Sequence, residues 1–284
     1  MANAYVSLER VKGSAGLNLG TGTTYDTQLR VLIENISRGM DRYTNRAFFW
    51  YTGTLDFDGD DSKVLLMPDL ISVTTLLEDT NMDGTFETGW AAADYVLYPL
   101  NAQPTSSWGG PYTQIHVNTK SDGTQDHFLK GQRVYRISGS WGFQRVRTDS
   151  ARDGTLADGT TGTLTLSGGT GSGIFEVGMT LVIDSEQVYV TGSSTGTTLT
   201  VERAANASTG TAHTGVDVFI VQYPGPIAEA CFIQVARVWK RKDSAFANRI
   251  GMPQGGEMLI FTGLDPDVKL MLSGYRKAPL GVGY

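Results

Sequence analysis

The sequence predicts an α+β fold in which a helical base, formed by N- and C-terminal helices, carries a large β insertion made of two small β modules. Three observations carry this expectation. Residues 26–46 space Leu29, Leu32, Ile33, Ile36, Met40 and Tyr43 three and four apart, which gathers them on one face of a helix. Residues 226–246 repeat the pattern with Ile227, Ala228, Cys231, Phe232, Val235, Val238 and Trp239. Between these stretches the chain reads almost entirely as short strands and turns. A lone amphipathic helix cannot bury its stripe, so the two are expected to pack on each other and bring the distant ends of the chain together.

The elements follow in order. Ser7 is a cap and Gly13 a stop for a short opening helix, and Asp26 is the expected N-cap of the first long helix. Phe48, Phe49, Trp50 and Tyr51 then favour strand. Residues 52–57 and 62–67 flank Asp58-Gly59-Asp60-Asp61, a hairpin pattern, and Pro68 is expected to end the second of these strands. Further strands are expected at 70–78, 95–98, 114–118 and 133–138, with a Pro, Ser and Gly loop over 101–110. A polar stretch, 145–158, reads as a break. Beyond it, 162–166, 180–183, 187–191, 198–202 and 216–221 alternate apolar and polar residues and suggest a compact, glycine-rich second β module. Pro224 and Pro226 open the second long helix. Asp265-Pro266 starts a short one, and the chain closes on an extended tail over 277–284. The expected domains are 1–50, a helical part; 51–144, the first β module; 154–223, the inserted second module; and 224–284, helices and tail packing on the N-terminal helix.

Composition narrows the function classes. The chain has 284 residues, 40% hydrophobic and 18% charged, enough to bury a full core. Its formal charge of −6 argues against a general nucleic-acid binder, although it suits a surface that DNA slides past without adhering. The single cysteine cannot form an internal disulfide, and its place on an apolar stripe reads as packing. No run approaches the ~18 apolar residues of a membrane span, so the expectation is a chain made in the cytoplasm with no membrane partner.

Few groups point to chemistry. Asp79, Asn81 and Asp83, with Gly84 at the sharp turn, match the front half of a calcium-binding loop. The twelfth position, however, is Trp90 where a bidentate glutamate is needed, so a polar hairpin turn is the expectation. His116, His127 and His213 share no ligand spacing, and neither a nucleophile elbow nor a phosphate loop is present. No catalytic residue and no cofactor are expected. Arg237, Lys240, Arg241 and Lys242 gather at the end of the second long helix, where they complement the helix dipole or contact a neighbouring subunit or DNA.

Several segments together resemble the head-tail connector, or adaptor, proteins of long-tailed bacteriophages. They are Asp26-x-x-Leu29-x-x-Leu32-Ile33-Glu34 running on to Tyr43-Thr44-Asn45-Arg46-Ala47-Phe48; Leu66-Met67-Pro68-Asp69 leading to Ile71-Ser72-Val73-Thr74; Tyr95-x-Leu97-x-Pro99-x-Asn101; Ile137-Ser138-Gly139-x-Trp141-Gly142-Phe143; and Pro226-Ile227-Ala228-Glu229-Ala230. Residues 154–223 depart from the simpler members, in which the Trp-Gly-Phe element is soon followed by the second helix. The resemblance implies a non-enzymatic virion protein at the neck. It would form a homo-oligomeric ring, commonly of about twelve subunits, beneath the portal. The ring would extend the channel for genomic DNA and bind a downstream stopper or tail-completion protein. It also implies that Asp265, Val268, Leu270, Leu272, Tyr275, Arg276 and Tyr284 dock on the portal. The competing expectation is a β-rich surface decoration or receptor-binding protein of the particle.

Overall fold

The computed structural model describes residues 3–120, 123–167, 175–195, 197–242, 249–251, 257–259 and 263–278. It is mostly β, with 38% strand against 21% helix, which overturns the expected helical base with a β insertion. Two six-stranded β structures dominate, and the described residues hold four helices, the longest of 19 residues. The chain divides into two compact units. One comprises Met1–Asn45, Arg147–Ala205 and Thr209–Lys277; the other comprises Arg46–Val146, Asn206–Ser208 and Ala278–Tyr284.

The second unit is an open antiparallel sheet built from β1 (Tyr51–Gly59), β2 (Val64–Glu78), β3 (Thr88–Gly89), β4 (Tyr95–Tyr98), β5 (Tyr112–Val117) and β6 (Gly131–Trp141). Its order is β1-β6-β2-β5-β4, with β3 added to β2. Pro68 does not end a strand here. It lies where the β2–β5 register shifts between Leu66 and Leu70, an irregularity at which a missing N–H breaks no ladder, so β2 runs through it for 15 residues. The core holds Leu65, Met67, Leu70, Leu76, Ile115, Tyr135, Ile137 and Trp141, with Trp90 stacked on Phe128 at 4.8 Å between ring centroids. Glu78 is buried among these rings and accepts the indole N–H of Trp90 at 2.9 Å and the Tyr135 hydroxyl at 2.7 Å. Gly59 is required where it stands, because a Cβ there would lie 1.8 Å from the Leu129 carbonyl oxygen.

The first unit contains a closed six-stranded barrel. Its strands are β7 (Val146–Leu156), β8 (Thr163–Ser167), β9 (Thr180–Ile183), β10 (Glu186–Thr195), β11 (Thr198–Ala205) and β12 (His213–Gln222), and it closes in the order β10-β11-β8-β7-β12-β9. Strand β7 occupies most of the stretch expected to be a break. Its residues are polar, but Ser150, Arg152, Gly154 and Leu156 alternate inward, and the Ser150 hydroxyl donates to the Val218 carbonyl at 2.5 Å. Inside lie Leu156, Leu164, Leu166, Leu181, Ile183, Val188, Val190, Leu199, Val201 and Val218.

The same unit carries α1 (Leu8–Lys12), α2 (Asp26–Thr44), α3 (Gly225–Arg241) and α4 (Pro266–Ser273). Ser7 caps α1 as expected, but Asp26 does not cap α2: Tyr25 stands at that position, and the Asp26 carboxylate takes the Lys12 ammonium at 2.6 Å instead. Asn45, with φ of 54°, ends α2 in the left-handed conformation. Helices α2 and α3 pack through Ile33, Ser37, Met40, Ile227, Cys231 and Val235, with Ser37 Oγ 3.5 Å from Cys231 Sγ. The helices also cover the barrel. Strand β9 is buried on both faces; Tyr189 of β10 donates to Glu34 at 3.1 Å, and Arg30 donates to the Thr191 carbonyl at 3.0 Å. A two-stranded ribbon, β13 (Arg249–Gly251) with β14 (Glu257–Leu259), lies between α3 and α4 in the chain.

Candidate interaction surfaces

The Asp79 loop joins β2 to β3 and is wound by its own side chains. Asp79 accepts the backbone N–H groups of Asp83 at 3.2 Å and Gly84 at 2.7 Å, and Asp83 accepts that of Thr85 at 2.7 Å. Asn81 donates to the Asp83 carboxylate at 3.2 Å. The Thr85 amide holds the Asp83 carboxyl below its usual range. Glu87, which the loop pattern did not single out, brings a third carboxylate: Asp79, Asp83 and Glu87 each place an oxygen within 4.8 Å of the others. Glu87 is held by the Thr80 hydroxyl at 2.8 Å. The oxygens that a cation would need are therefore engaged in making the turn.

His213 belongs to a cluster that its isolation in the sequence concealed, in which the side chains of His213, Glu186 and Arg203 are buried while Asp184 and Thr211 are exposed. Its Nδ1 lies 2.9 Å from Asp184, and its Nε2 lies 3.0 Å from Glu186 and 3.1 Å from the Thr211 hydroxyl. Thr, His and Asp in line suggest a nucleophile, base and orienting acid. Glu186 spoils that reading, since a carboxylate against Nε2 occupies the atom that would take the threonine proton. Glu186 also accepts both Nε and Nη2 of Arg203, at 2.7 and 2.8 Å, and the backbone N–H groups of Ala204 and Thr211. The cluster closes the 203–213 connection onto the barrel and is built as a structural clasp.

The expected docking residues at the C-terminal end divide by burial. Val268 and Leu272 are fully buried beneath α4, and Asp265 caps that helix by accepting the Asp267 N–H at 2.9 Å. Asp265 also pairs with Arg237 of α3, and its own N–H donates to Gln234 Oε1 at 3.0 Å. Leu270 is 76% exposed on the outer face of the same helix. Tyr275 is half-buried, and Arg276 lies over the Tyr43 ring with 5.1 Å to its centroid. Tyr284 lies outside the described residues. The basic group likewise splits. Arg237 is tied to α4, Lys240 is exposed and Arg241 is partly buried. Lys242 folds its ammonium over Trp239 and Tyr25, 4.1 and 4.5 Å from their centroids.

That last arrangement marks a surface feature of the first unit. Tyr25, Gln28 and Leu32 of the α2 end and Val238, Trp239 and Lys242 of the α3 end line a groove of about 340 Å³. Tyr25 and Trp239 meet edge to face at 5.4 Å, and the charge in the lining is the Lys242 ammonium. The stripes place Leu32, Val238 and Trp239 on faces expected to pack, but these residues line the open groove instead, beside Tyr25 and Gln28, which neither stripe includes. No helix among the described residues is long and apolar enough to cross a membrane. Comparison with protein-family models, with curated proteins and with solved structures finds no match to this chain.

Proposed function

We propose that the chain is a non-enzymatic virion protein that forms a ring under the portal, extends the DNA channel and joins the capsid to the tail. The observation that carries this reading is the construction of α4. A helix of only eight residues is fastened from below by Val268 and Leu272 and at its start by Asp265, while Leu270 faces solvent. An exposed leucine on a pre-ordered helix suits docking into a partner's groove, because little conformational freedom remains to be lost on binding. The resemblance of the opening helix and the strand segments to head-tail adaptors supplies the partner, the portal. A net charge of −6 suits a channel wall that DNA must pass without sticking.

The test is a change confined to the exposed face. Deleting residues from 265 onward would also remove the buried Val268 and Leu272, so Leu270→Asp is the cleaner variant. It should fold and melt like the parent chain, yet yield separate DNA-filled heads and free tails in electron micrographs. Joined particles in normal number would sink the assignment of α4 to the portal.

A surface decoration or receptor-binding role is the second reading, and the predominance of β structure favours it more than the sequence suggested. The closed barrel and open sheet are architectures that such modules use. Particles lacking the protein that remain whole and fail only to adsorb to cells would support it.

A further inference from the structure

Residues 3–7 belong to no helix or strand, yet none of them is more than 8% exposed. A buried irregular segment must place its backbone polar groups on partners, and those partners identify what it joins. On one side they belong to α2. The Tyr5 N–H donates to Ser37 Oγ at 3.1 Å and the Tyr5 hydroxyl to Asp41 at 2.5 Å. Arg38 donates to the Asn3 carbonyl at 3.0 Å and lies over the Tyr5 ring, 5.2 Å from its centroid. The same ring meets Tyr223, just before α3, edge to face at 4.8 Å.

On the other side the partners belong to the barrel and to the stretch that leads into β9. Thr180 donates to Asn3 Oδ1 at 3.4 Å, Ser7 Oγ donates to Glu176, and the Leu8 N–H donates to the Val177 carbonyl at 2.9 Å. A cavity of about 220 Å³ runs along this side, lined in part by Ala4, Val6, Met179 and Ile220. Side chains that border a void lose contacts there. The segment is therefore seated firmly on α2, through a buried tyrosine, and lightly on the barrel, through a few polar bonds.

We propose that residues 3–7 are a latch that couples the α2–α3 pair to the barrel. Seated on both, the segment makes helices and barrel open as one cooperative body; released from the barrel, it stays with α2 and the two open separately. The direct bonds between α2 and β10, Arg30 to Thr191 and Tyr189 to Glu34, are part-buried side-chain hydrogen bonds. They add to the coupling, but each contributes modestly, whereas the latch is buried along its whole length.

Hydrogen exchange of the full chain, followed peptide by peptide in dilute urea, tests it. In the parent, the amides of α2 and α3 and those of the barrel strands should share one opening. Arg203→Met, in the barrel, should then speed exchange in both by about a hundredfold or more. Val6→Asp places a bare carboxylate in the seam beside the cavity and should unseat the latch. The helix amides should now exchange at least about tenfold faster than the barrel amides, and adding Arg203→Met should speed the barrel alone. Ser7→Ala, which deletes the bond to Glu176, should open a smaller gap of the same sign and decides the matter if Val6→Asp fails to fold. A Ser7→Ala chain without that gap overturns the latch. So do helix and barrel amides that respond together to Arg203→Met in Val6→Asp, or that already respond separately in the parent.

Discussion

Glu186 and Arg203 meet at 2.7 Å with side chains 0% and 6% exposed, so the barrel closes its 203–213 connection on a fully desolvated ion pair. Such a pair adds little over apolar residues of the same shape, but breaking it strands a buried charge. Arg203→Met should therefore cost about 3–5 kcal/mol in urea denaturation, and Glu186→Met with Arg203→Met together should recover most of that loss. A double variant no more stable than the single one would show that the remaining partners of Glu186, not its charge, dominate.

Acid should unfold the protein through the same carboxylate. Burial alone would push the Glu186 carboxyl up. The Arg203 guanidinium, the Ala204 and Thr211 amides and His213 outweigh it and hold the pKa at about 2, against 4.5 when free. Asp56 on β1 is held at about 2 chiefly by Arg136, with help from Arg133. A depressed carboxylate stabilises fully above its unfolded pKa and ceases to do so as pH falls through its folded one. The urea midpoint should be flat near neutrality and fall between about pH 4.5 and 2, with Glu186 accounting for about 3 kcal/mol. A midpoint insensitive to pH across that window would contradict the clasp.

The Asp79 turn should respond to mutation and not to calcium. Asp79→Ala removes the acceptor of two N–H groups and should cost about 1–3 kcal/mol. That loss should be the same in calcium and in chelator, as measured by thermal melting of both proteins. A parent chain stabilised by calcium, with the increment absent in Asp79→Ala, would return the loop to the cation-binding class.

Local patterns in the sequence predicted local structure, and what escaped them was set by distant partners. The stripes of α2 and α3 and the cap at Asp265 are each written in a few neighbouring residues, whereas the hairpin expected about Asp58–Asp61 does not form, because β6 lies between β1 and β2 and pairs with both. The fold class was misjudged because two amphipathic stripes were given the weight of a base, whereas the helices are few and short beside two six-stranded β structures; in detail, polar β7 was read as a break and β2 as two strands divided by a proline. Only the inward alternation of Ser150 and Arg152, and the register shift beside Pro68, make them strands. His213 looked solitary because Asp184, Glu186 and Arg203 lie 10 to 29 residues away in sequence and are gathered by barrel closure. The open groove was not legible, since Leu32, Val238 and Trp239 belong to stripes that predict packing and only the register of α3 on α2 leaves them uncovered.

Cys231 can report whether the barrel and the helices of the first unit open together. Burial pushes its thiol up to about 12, so at pH 8 the thiolate is scarce and the sulfur is inaccessible, packed against Ser37. Iodoacetamide should label the native chain at least about a thousandfold more slowly than the urea-unfolded chain, because labelling requires opening. Arg203→Met lies in the barrel, away from the cysteine. If the unit opens cooperatively, its loss of about 3 kcal/mol or more should speed labelling by at least about a hundredfold. If α2 and α3 open on their own, the rate should not change. The Tyr189–Glu34 and Arg30–Thr191 bonds favour the cooperative outcome, since α2 cannot leave β10 without breaking both.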